Sequence, residues 1–448
     1  MNTFIVNGDL ARHNLTIHII GLGVQQEAVL NSKAQIALLD ADCIMGSERQ
    51  LETVARFTAD AQVTILPSLK NLLEVMDDLV KEGVQSLVVL ASGDPLFFGI
   101  GRWFRQRFHL SQLHFYPAIS SIQATCHALG LSLQDVTVVS LHGRPLTNLR
   151  RYLQPNRTLV ILTDGLSNPL AIAQECQLSG LDLSLLTVCE DLGYLSQRVR
   201  SFSVQELIDL PPKEDTESLS KQDNVDFSAL NIVVLETSSQ ISFYPSSIGI
   251  EDRKFITDKA QGKGMITKRD VRVAILSYLQ TDENDTVWDV GAGCGGVSVE
   301  LSYWNASAKL YSIEHHPERL TCLHANKERF GVSNMTVVPA SAPEGLHELP
   351  DPNKVFVGGS DGRLDEVLNI SWQRLPSDGI LVATAVTENS KRILLDFAER
   401  IRSYQGHHNL PHGETMSVQF SIAKEEELSN QRVYRPSLPV TLFKFSKR

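Results

Sequence analysis

The stretch TVWDVGAGCGG, residues 286–296, decides the fold of the second half of the chain. An apolar, strand-like run ends on Asp289, a turn containing Gly291, Gly293 and Gly295 follows, and a helix-like run comes next. This pattern is typical of a βα unit that binds a nucleotide, because glycines let the backbone approach a ligand without an intervening Cβ. A dinucleotide-binding turn reads G-x-G-x-x-G, and the spacing here matches it only loosely.

Two acids indicate which nucleotide the turn holds. Asp289 ends the first strand, and Glu314 ends the next strand-like run, KLYSIEHH at 309–316. In both respects the turn resembles that of class I S-adenosylmethionine (SAM) methyltransferases, whose second acid binds the ribose hydroxyls. SAM is cationic and has no pyrophosphate, so nearby carboxylates are favourable. The alternative is a turn that only packs a helix against a strand.

The elements around this turn predict an α/β domain. Residues 266–280 have helical periodicity, with Thr267 as the expected N-cap and Asp270 three residues later. A second helix is expected over 317–331. The last 30 residues contain two extended runs, at 417–424 and 438–445, which predict an antiparallel edge.

The first half also alternates strand-like and helix-length segments. Its apolar runs predict mostly parallel sheets buried on both faces. They lie at 15–23, 85–95, 157–165, 183–193 and 229–236. The polar stretch 211–228 predicts a solvated loop. We place a domain boundary near residue 240, which gives domains 1–240 and 241–448.

Composition limits the possible functions. A chain of 448 residues is expected to form two or three domains, and its net charge of −11 argues against a nucleic-acid partner. No segment has the run of about 18–20 apolar residues that spans a bilayer, and the N-terminus lacks the pattern of a signal peptide. The six cysteines are scattered, so we expect neither a metal site nor a redox pair, and a cytoplasmic location.

Motifs in the first half carry a second resemblance. A Gly-Asp-Pro triplet alone is also an ordinary turn, but here several motifs follow one another in order. They are IIGLG (19–23), ASGDPLFFGIG (91–101), YPAISSIQATCHALG (116–130), VSLHGR (139–144) and CEDLG (189–193). This order resembles the tetrapyrrole (porphyrin/corrin) methylase family. The resemblance implies two α/β lobes with SAM in the cleft between them, bound by Gly21, Gly23, Gly93, Asp94, Pro95, Ser120 and Ser121.

The second half resembles the class I partner of that family in corrin synthesis. The matching motifs are GMITKRDVR (264–272), ERFGVSN (328–334), APEGL (342–346), VFVGG (355–359) and AVTEN (385–389). The resemblance adds Thr267 and Ala342 to the cofactor residues of the glycine turn, which are Asp289, Gly291, Gly293, Gly295 and Glu314. One departure is Ser341, where the family usually has an aspartate.

Together the halves resemble the bifunctional methyltransferases of cobalamin biosynthesis. This implies two SAM sites, methylation at C-5 and C-15 of a precorrin, and loss of carbon dioxide from the ring C acetate to give precorrin-8. A tetrapyrrole with many carboxylates needs cationic partners. The candidates in contact with substrate are Arg102, His142, Arg144, Lys268, Arg269, Arg272 and Glu388.

Several of these candidates also have a simpler interpretation. Lys268 to Arg272 also fit a solvated helix start, His142 a buried core histidine, and Glu388 a first-turn acid. A cobalt-containing precorrin is an equally open substrate, and an RNA methyltransferase is disfavoured by the acidic charge. A third possibility is that one half has lost turnover and serves as a scaffold. The resemblance also implies a homo-oligomer.

Overall fold

The computed structural model describes residues 14–58, 61–210, 226–259, 264–402 and 412–448. The chain divides into two compact units. Unit 1 holds residues up to 146 together with 155–241, and unit 2 holds 147–154 together with 242–448. The extreme N-terminus and most of the expected loop at 211–228 lie outside the described residues.

The first lobe of unit 1 is a parallel sheet with helices. Its elements are β1 (Thr16–Gly21), α1 (Ser32–Leu39), β2 (Cys43–Gly46), α2 (Glu48–Val54), β3 (Gln62–Ile65), α3 (Leu72–Lys81), β4 (Ser86–Ala91), α4 (Gly101–Arg105) and β5 (Leu113–Tyr116). The strand order is β3-β2-β4-β1-β5, and all neighbours are parallel. Apolar side chains are buried on both faces of β1 and β4, as their continuous apolar runs predict.

The second lobe corrects the prediction of mostly parallel sheets. Its elements are α5 (Ser121–Leu129), β6 (Thr137–Ser140), β7 (Thr158–Leu162), α6 (Pro169–Leu178), β8 (Leu185–Glu190), β9 (Arg198–Ser203), α7 (Val204–Ile208) and β10 (Asn231–Glu236). The order is β6-β7-β10-β8-β9, and only β6 and β7 pair in parallel. An apolar run records burial on both faces but not strand direction, and β10 inserts antiparallel between β7 and β8.

Unit 2 is a seven-stranded sheet with helices. Its elements are α8 (Arg269–Leu279), β11 (Thr286–Val290), α9 (Gly296–Trp304), β12 (Lys309–Glu314), α10 (Pro317–Arg329), β13 (Met335–Pro339), β14 (Lys354–Val357), α11 (Leu364–Arg374), β15 (Ile380–Ala385), α12 (Glu388–Arg402), β16 (Gly413–Phe420), β17 (Ala423–Leu428), β18 (Gln431–Pro436) and β19 (Val440–Lys447). The order is β13-β12-β11-β14-β15-β19-β16.

The carboxyl ends of the parallel strands form the candidate functional edge of unit 2. Strands β11 to β15 are parallel, so their carboxyl ends share one edge, where ligands bind in open α/β sheets. Strand β19 pairs antiparallel with β15 and with β16, which confirms the predicted antiparallel edge. In the part of the chain that the structure describes, no helix combines the length and apolarity needed to cross a bilayer.

The start of α8 differs from the prediction. Its N-cap is Lys268 rather than Thr267, and no side chain of the N-cap residue bonds to the helix. The backbone N–H of Arg269 instead donates to Asp252 Oδ1 at 3.0 Å. A carboxylate that lies remote in sequence thus replaces the local cap.

Candidate active sites

The two glycine motifs of unit 1 meet at the carboxyl ends of β1 and β4. The backbone N–H of Gly93 donates to the carbonyl of Gly23 at 3.2 Å. A Cβ on Gly21 would lie 2.4 Å from the carbonyl oxygen of Gly93, so the two chain segments need glycine where they cross. Ser120 is buried beside them as the N-cap of α5, where it forms a capping box with Gln123. Motifs that lie far apart in sequence therefore form one surface.

Asp94 organises the loop that follows Gly93. Its Oδ1 accepts hydrogen bonds from the backbone N–H groups of Leu96 and Phe97, at 2.8 and 3.0 Å. The carbonyl of Pro95 accepts from the N–H of Gly101 at 2.9 Å, which closes the loop. In this structure the Asp94 carboxylate shapes its own loop.

A cavity of about 840 Å³ lies between the two lobes of unit 1. Its volume is in the usual range of small-molecule sites. The predicted residues that line it are Gly23, Gly93, Arg102, Ser120, Ser121, His142 and Arg144. The remaining predicted cofactor residues of unit 1 are not part of the lining, and they are Gly21, Asp94 and Pro95.

The cavity carries positive charge. Arg49, Arg102 and Arg144 line it, and Asp191 is the one acid among its described lining residues. Within the described ranges none of the three guanidinium groups forms an ion pair, whereas the Asp191 carboxylate accepts hydrogen bonds from two serine hydroxyls. An excess of unpaired cations in a chain of net charge −11 favours an anionic ligand.

Sequence reasoning missed Arg49. It lies in the first turn of α2, directly after the carboxyl end of β2, and donates to Ser92 Oγ and to the hydroxyl of Tyr194, both at 3.1 Å. Its position at the edge shared by the parallel strands is the signal that would have identified it.

His142 is exposed, in a turn that contacts Thr163 and Asp164. Its Nδ1 lies 3.3 Å from the carbonyl oxygen of Thr163, and the N–H of Gly143 donates to Asp164 Oδ2 at 2.8 Å. Backbone donors of Ser167 and Gly143 hold the pKa of the Asp164 carboxyl below its usual range. This placement excludes the core-histidine interpretation of His142.

In unit 2 the glycine turn lies close against the backbone of neighbouring segments. A Cβ on Gly291, whose φ is +73°, would lie 2.6 Å from the backbone of Gly359. A Cβ on Gly293 would lie 2.4 Å from the carbonyl oxygen of Met265, which accepts a hydrogen bond from Cys294 N–H at 2.9 Å. The segment before α8 therefore lies directly on the turn.

Glu314 lies beside this turn at the end of β12. Its Oε2 accepts from the N–H of Gly293 at 2.9 Å, and its Oε1 accepts from the N–H groups of His315 and His316. A carboxylate offers about four acceptor positions, so capacity remains for a ligand hydroxyl. Ala342 lies near the same sheet edge, because the N–H of Ala340 donates to the carbonyl of Glu314.

Asp289 points into the interior below the turn. It is 1% exposed and accepts a hydrogen bond from Ser298 Oγ, which in turn lies 2.7 Å from Ser312 Oγ. Burial raises the pKa of Asp289 to about 7, because desolvation penalises the charged form. This position suits support of the turn better than direct contact with a ligand.

Arg272 is also interior, which corrects the expectation that it faces substrate. Its side chain is fully buried and forms an ion pair with Glu300 at 2.6 Å and another with Asp252 at 3.0 Å. It also donates to the carbonyl oxygens of Thr267 and Ile250. Glu300, a lone acid in the apolar run VSVELSYW, was the sequence signal for this pair.

The other three candidates of unit 2 are at its surface. Arg269 is the first residue of α8 and is exposed. Lys268 is exposed at the start of α8. Glu388 is the first residue of α12, after the carboxyl end of β15, and its side chain forms an ion pair with Lys391 at 2.9 Å. The structure thus places Glu388 at the ligand-binding edge and also in the first-turn position of the simpler interpretation.

Comparison with known proteins relates both units to corrin synthesis. A family model for tetrapyrrole (corrin/porphyrin) methylases matches residues 16–208, and one for a precorrin methyltransferase domain matches residues 258–447. The chain is 32% identical over 433 residues to the precorrin-6Y C(5,15)-methyltransferase (decarboxylating) of a Sinorhizobium species. The aligned region covers 96% of each of the two chains.

Two further relatives match parts of the chain. Cobalt-precorrin-7 C(5)-methyltransferase of Salmonella typhimurium is 29% identical over 181 residues, which is 40% of this chain and 87% of that one. A crystal structure of precorrin-6Y C5,15-methyltransferase from Geobacter metallireducens is 34% identical, covers 46% of this chain and all of that chain, and has a TM-score of 0.40.

Proposed function

The chain belongs to the precorrin-6Y C(5,15)-methyltransferase (decarboxylating) family, and we propose that it methylates C-5 and C-15 of a precorrin and decarboxylates the ring C acetate. The observation that carries the proposal is the cavity of unit 1, whose described lining holds three arginines and one acid, and none of these arginines forms an ion pair within the described ranges. Such a site suits a substrate with many carboxylates. The cobalt-free and cobalt-containing precorrins share this chemistry.

We assign the C-5 methylation to the N-terminal domain, residues 1–240, and the C-15 methylation with decarboxylation to the C-terminal domain, residues 241–448. The N-terminal assignment rests on the motifs that meet at Gly23 and Gly93. The C-terminal assignment rests on the glycine turn with Glu314 beside it. Because residues 147–154 belong to unit 2, the functional boundary does not coincide with a single cut in the chain.

The residues present fit SAM in both units. In unit 1 the cavity is lined by Gly23, Gly93 and the start of α5, and in unit 2 Glu314 retains acceptor capacity for a ribose hydroxyl. When bound, SAM supplies a methyl group that its positive sulfur has already activated. The protein's part is to hold the substrate carbon on the order of 3–3.5 Å from that methyl and to exclude water.

Polar side chains at each site have proposed roles toward the substrate. In unit 1, Arg49, Arg102 and Arg144 bind carboxylates and His142 donates a hydrogen bond. In unit 2, Lys268 and Glu388 face the substrate, and Arg272 holds the segment that lies on the glycine turn. Substituting Glu388 with glutamine should therefore slow formation of the C-15 product and leave the C-5 product unchanged.

Two SAM sites per chain give the sharpest test. Calorimetry with SAM should count two sites in the native chain and one in each of Gly93→Trp and Glu314→Ala. Mass spectrometry of a precorrin incubated with SAM should show two methyl gains and loss of one carbon dioxide. Gly93→Trp should stop only the C-5 methylation and Glu314→Ala only the C-15 methylation with its decarboxylation. One site in the native chain, or no mass change on any precorrin, contradicts the proposal.

We also propose that the chain forms a homo-oligomer through the hairpin β17–β18. These strands pair only with each other among the described strands, and Leu428 and Tyr434 are 56% and 72% exposed. An isolated two-stranded hairpin is marginally stable in water, so a second copy is its expected partner. Light scattering should show an oligomer that Tyr434→Asp dissociates. A native monomer contradicts the proposal.

The cytoplasmic location remains a proposal. All six cysteines are unpaired and buried, which supports a reducing compartment.

A further inference from the structure

Two aromatic side chains are displayed in the cavity of unit 1. Phe97 and Phe98 line it while remaining 40% and 49% exposed, and Leu96 beside them is 55% exposed. Their rings make an edge-to-face pair with centroids 5.1 Å apart. Adjacent large apolar residues that stay exposed inside a concave site indicate an apolar ligand surface.

Hydrogen bonds at both ends hold the loop that carries this aromatic pair. Asp94 accepts from two backbone N–H groups at its start, and the carbonyl of Pro95 accepts from Gly101 N–H at its end. A Cβ on Gly99 would lie 2.5 Å from the carbonyl oxygen of Pro95, so the loop is tightly folded on itself. The aromatic pair is therefore held in the cavity by the backbone.

Phe98 adopts a conformation that a bulky residue rarely takes. Its φ is +58°, in the left-handed region that favours glycine and asparagine. Such a conformation costs free energy and is concentrated at ligand-binding sites, where the surrounding structure imposes it. Packing does not explain the cost here, because the ring is half exposed.

Charge surrounds the aromatic pair. Arg102 lies in the first turn of α4, the helix that follows the loop, and Arg49 and Arg144 line the same cavity. An apolar surface bordered by cations complements a flat ring system that carries carboxylates on its periphery.

We propose that Phe97 and Phe98 contact a face of the tetrapyrrole ring and position it for methylation, while the arginines hold its carboxylates. This inference rests on the proposed function of unit 1. Both phenylalanines are positioning residues that determine substrate specificity, and SAM binding does not depend on them.

The test compares Phe98→Asn and Phe97→Leu with the native full-length chain. Asparagine tolerates the left-handed region, so Phe98→Asn removes the ring without adding backbone strain. Leu110→Asn is the matched control, because Leu110 is 55% exposed and lies outside the cavity lining. Far-ultraviolet circular dichroism verifies folding.

Binding of uroporphyrin, a polycarboxylate tetrapyrrole, is measured by fluorescence and binding of SAM by calorimetry. Phe98→Asn should weaken uroporphyrin binding about tenfold and leave the SAM affinity unchanged. Phe97→Leu should give a smaller loss and raise KM for the precorrin more than it lowers kcat. The control should match the native chain in both assays.

Two outcomes overturn the inference. The first is that the native chain methylates a precorrin at C-5 while both phenylalanine variants bind uroporphyrin as tightly as the native chain does. The other is an equal loss of SAM affinity, which would place the cofactor on the aromatic pair. If the native chain neither binds uroporphyrin nor methylates a precorrin at C-5, the proposed function of unit 1 fails as well.

Discussion

Arg272 Nε donates to Glu300 Oε2 at 2.6 Å, and both side chains are fully buried. The pair connects α8 with α9, the helix that follows the glycine turn. Through Arg272 it also holds the carbonyls of Ile250 and Thr267. The interior of unit 2 thus fixes the segment that lies on its candidate ligand site.

Glu300→Gln should destabilise unit 2 strongly and weaken its SAM binding. The substitution breaks a buried ion pair, which typically costs about 3–5 kcal/mol, and leaves Arg272 with its second carboxylate partner, Asp252, at 3.0 Å. Urea unfolding followed by tryptophan fluorescence measures this, since Trp288, Trp304 and Trp372 belong to unit 2.

The double variant Arg272→Met, Glu300→Leu separates stability from positioning. Apolar replacement of a buried pair is often neutral or stabilising, so unfolding should recover. SAM binding in unit 2 should stay weak, because the carbonyls of Ile250 and Thr267 lose their donor. Recovery of both properties would show that the pair serves stability alone.

Asp289→Asn should stabilise the protein in a pH-dependent manner. The folded-state pKa of about 7 lies above the ordinary value of 3.8, so the folded chain binds an extra proton between these values. The free energy of unfolding of the native chain therefore falls as pH rises from about 4 to about 7.

The variant lacks this titration, so above pH 7 its free energy of unfolding should exceed that of the native chain by roughly 1–3 kcal/mol. This difference should shrink as the pH falls toward 4. Urea unfolding across this pH range gives the difference. Glu283→Gln, at an exposed acid, is the control and should show no such trend. A difference that does not vary with pH would place the titration at another group.

Local sequence predicted the elements whose signals are local. The glycine turn, with Gly291 and Gly293 at positive φ, and the end of α10 before Gly331 follow from residue types at fixed spacing. The burial of β1 and β4 follows from uninterrupted apolar runs. These features depend on backbone sterics and on burial, which each residue type records by itself.

Features that depend on remote partners were not predictable in this way. Arg272 was expected to face the substrate, with a solvated helix start as the alternative, yet its partners Asp252 and Glu300 lie 20 and 28 residues away. The direction of β10 depends on which strands it joins. Arg49 reaches the cavity only because the fold places the end of β2 there.

Arg102→Gln should impair binding of the precorrin by unit 1 and leave SAM binding unchanged. Loss of a charge-assisted hydrogen bond in a partly desolvated site costs roughly 1.5–3 kcal/mol, so KM should rise about tenfold or more. Steady-state kinetics of C-5 methylation measures the change.

Arg105→Gln on the same helix is the matched control, because Arg105 is exposed and lies outside the cavity lining. Arg49→Gln should resemble Arg102→Gln. Equal effects of the variants at Arg102 and Arg105 would indicate a general effect of surface charge. The prediction that Arg102 binds substrate in the cavity would then be wrong.

Gly291→Ala should abolish SAM binding in unit 2 while unit 1 keeps its site. The added Cβ would lie 2.6 Å from the backbone of Gly359, so β11 and β14 would have to separate where the turn begins.

Gly362→Ala is the matched control, because Gly362 also has a positive φ, +85°, but nothing lies within 4 Å of its added Cβ. The control carries only the left-handed penalty of about 1 kcal/mol and should bind SAM normally in both units. Calorimetry should count one site in Gly291→Ala and two in Gly362→Ala. Equal counts would mean that the close approach of Gly291 to Gly359 does not shape the site.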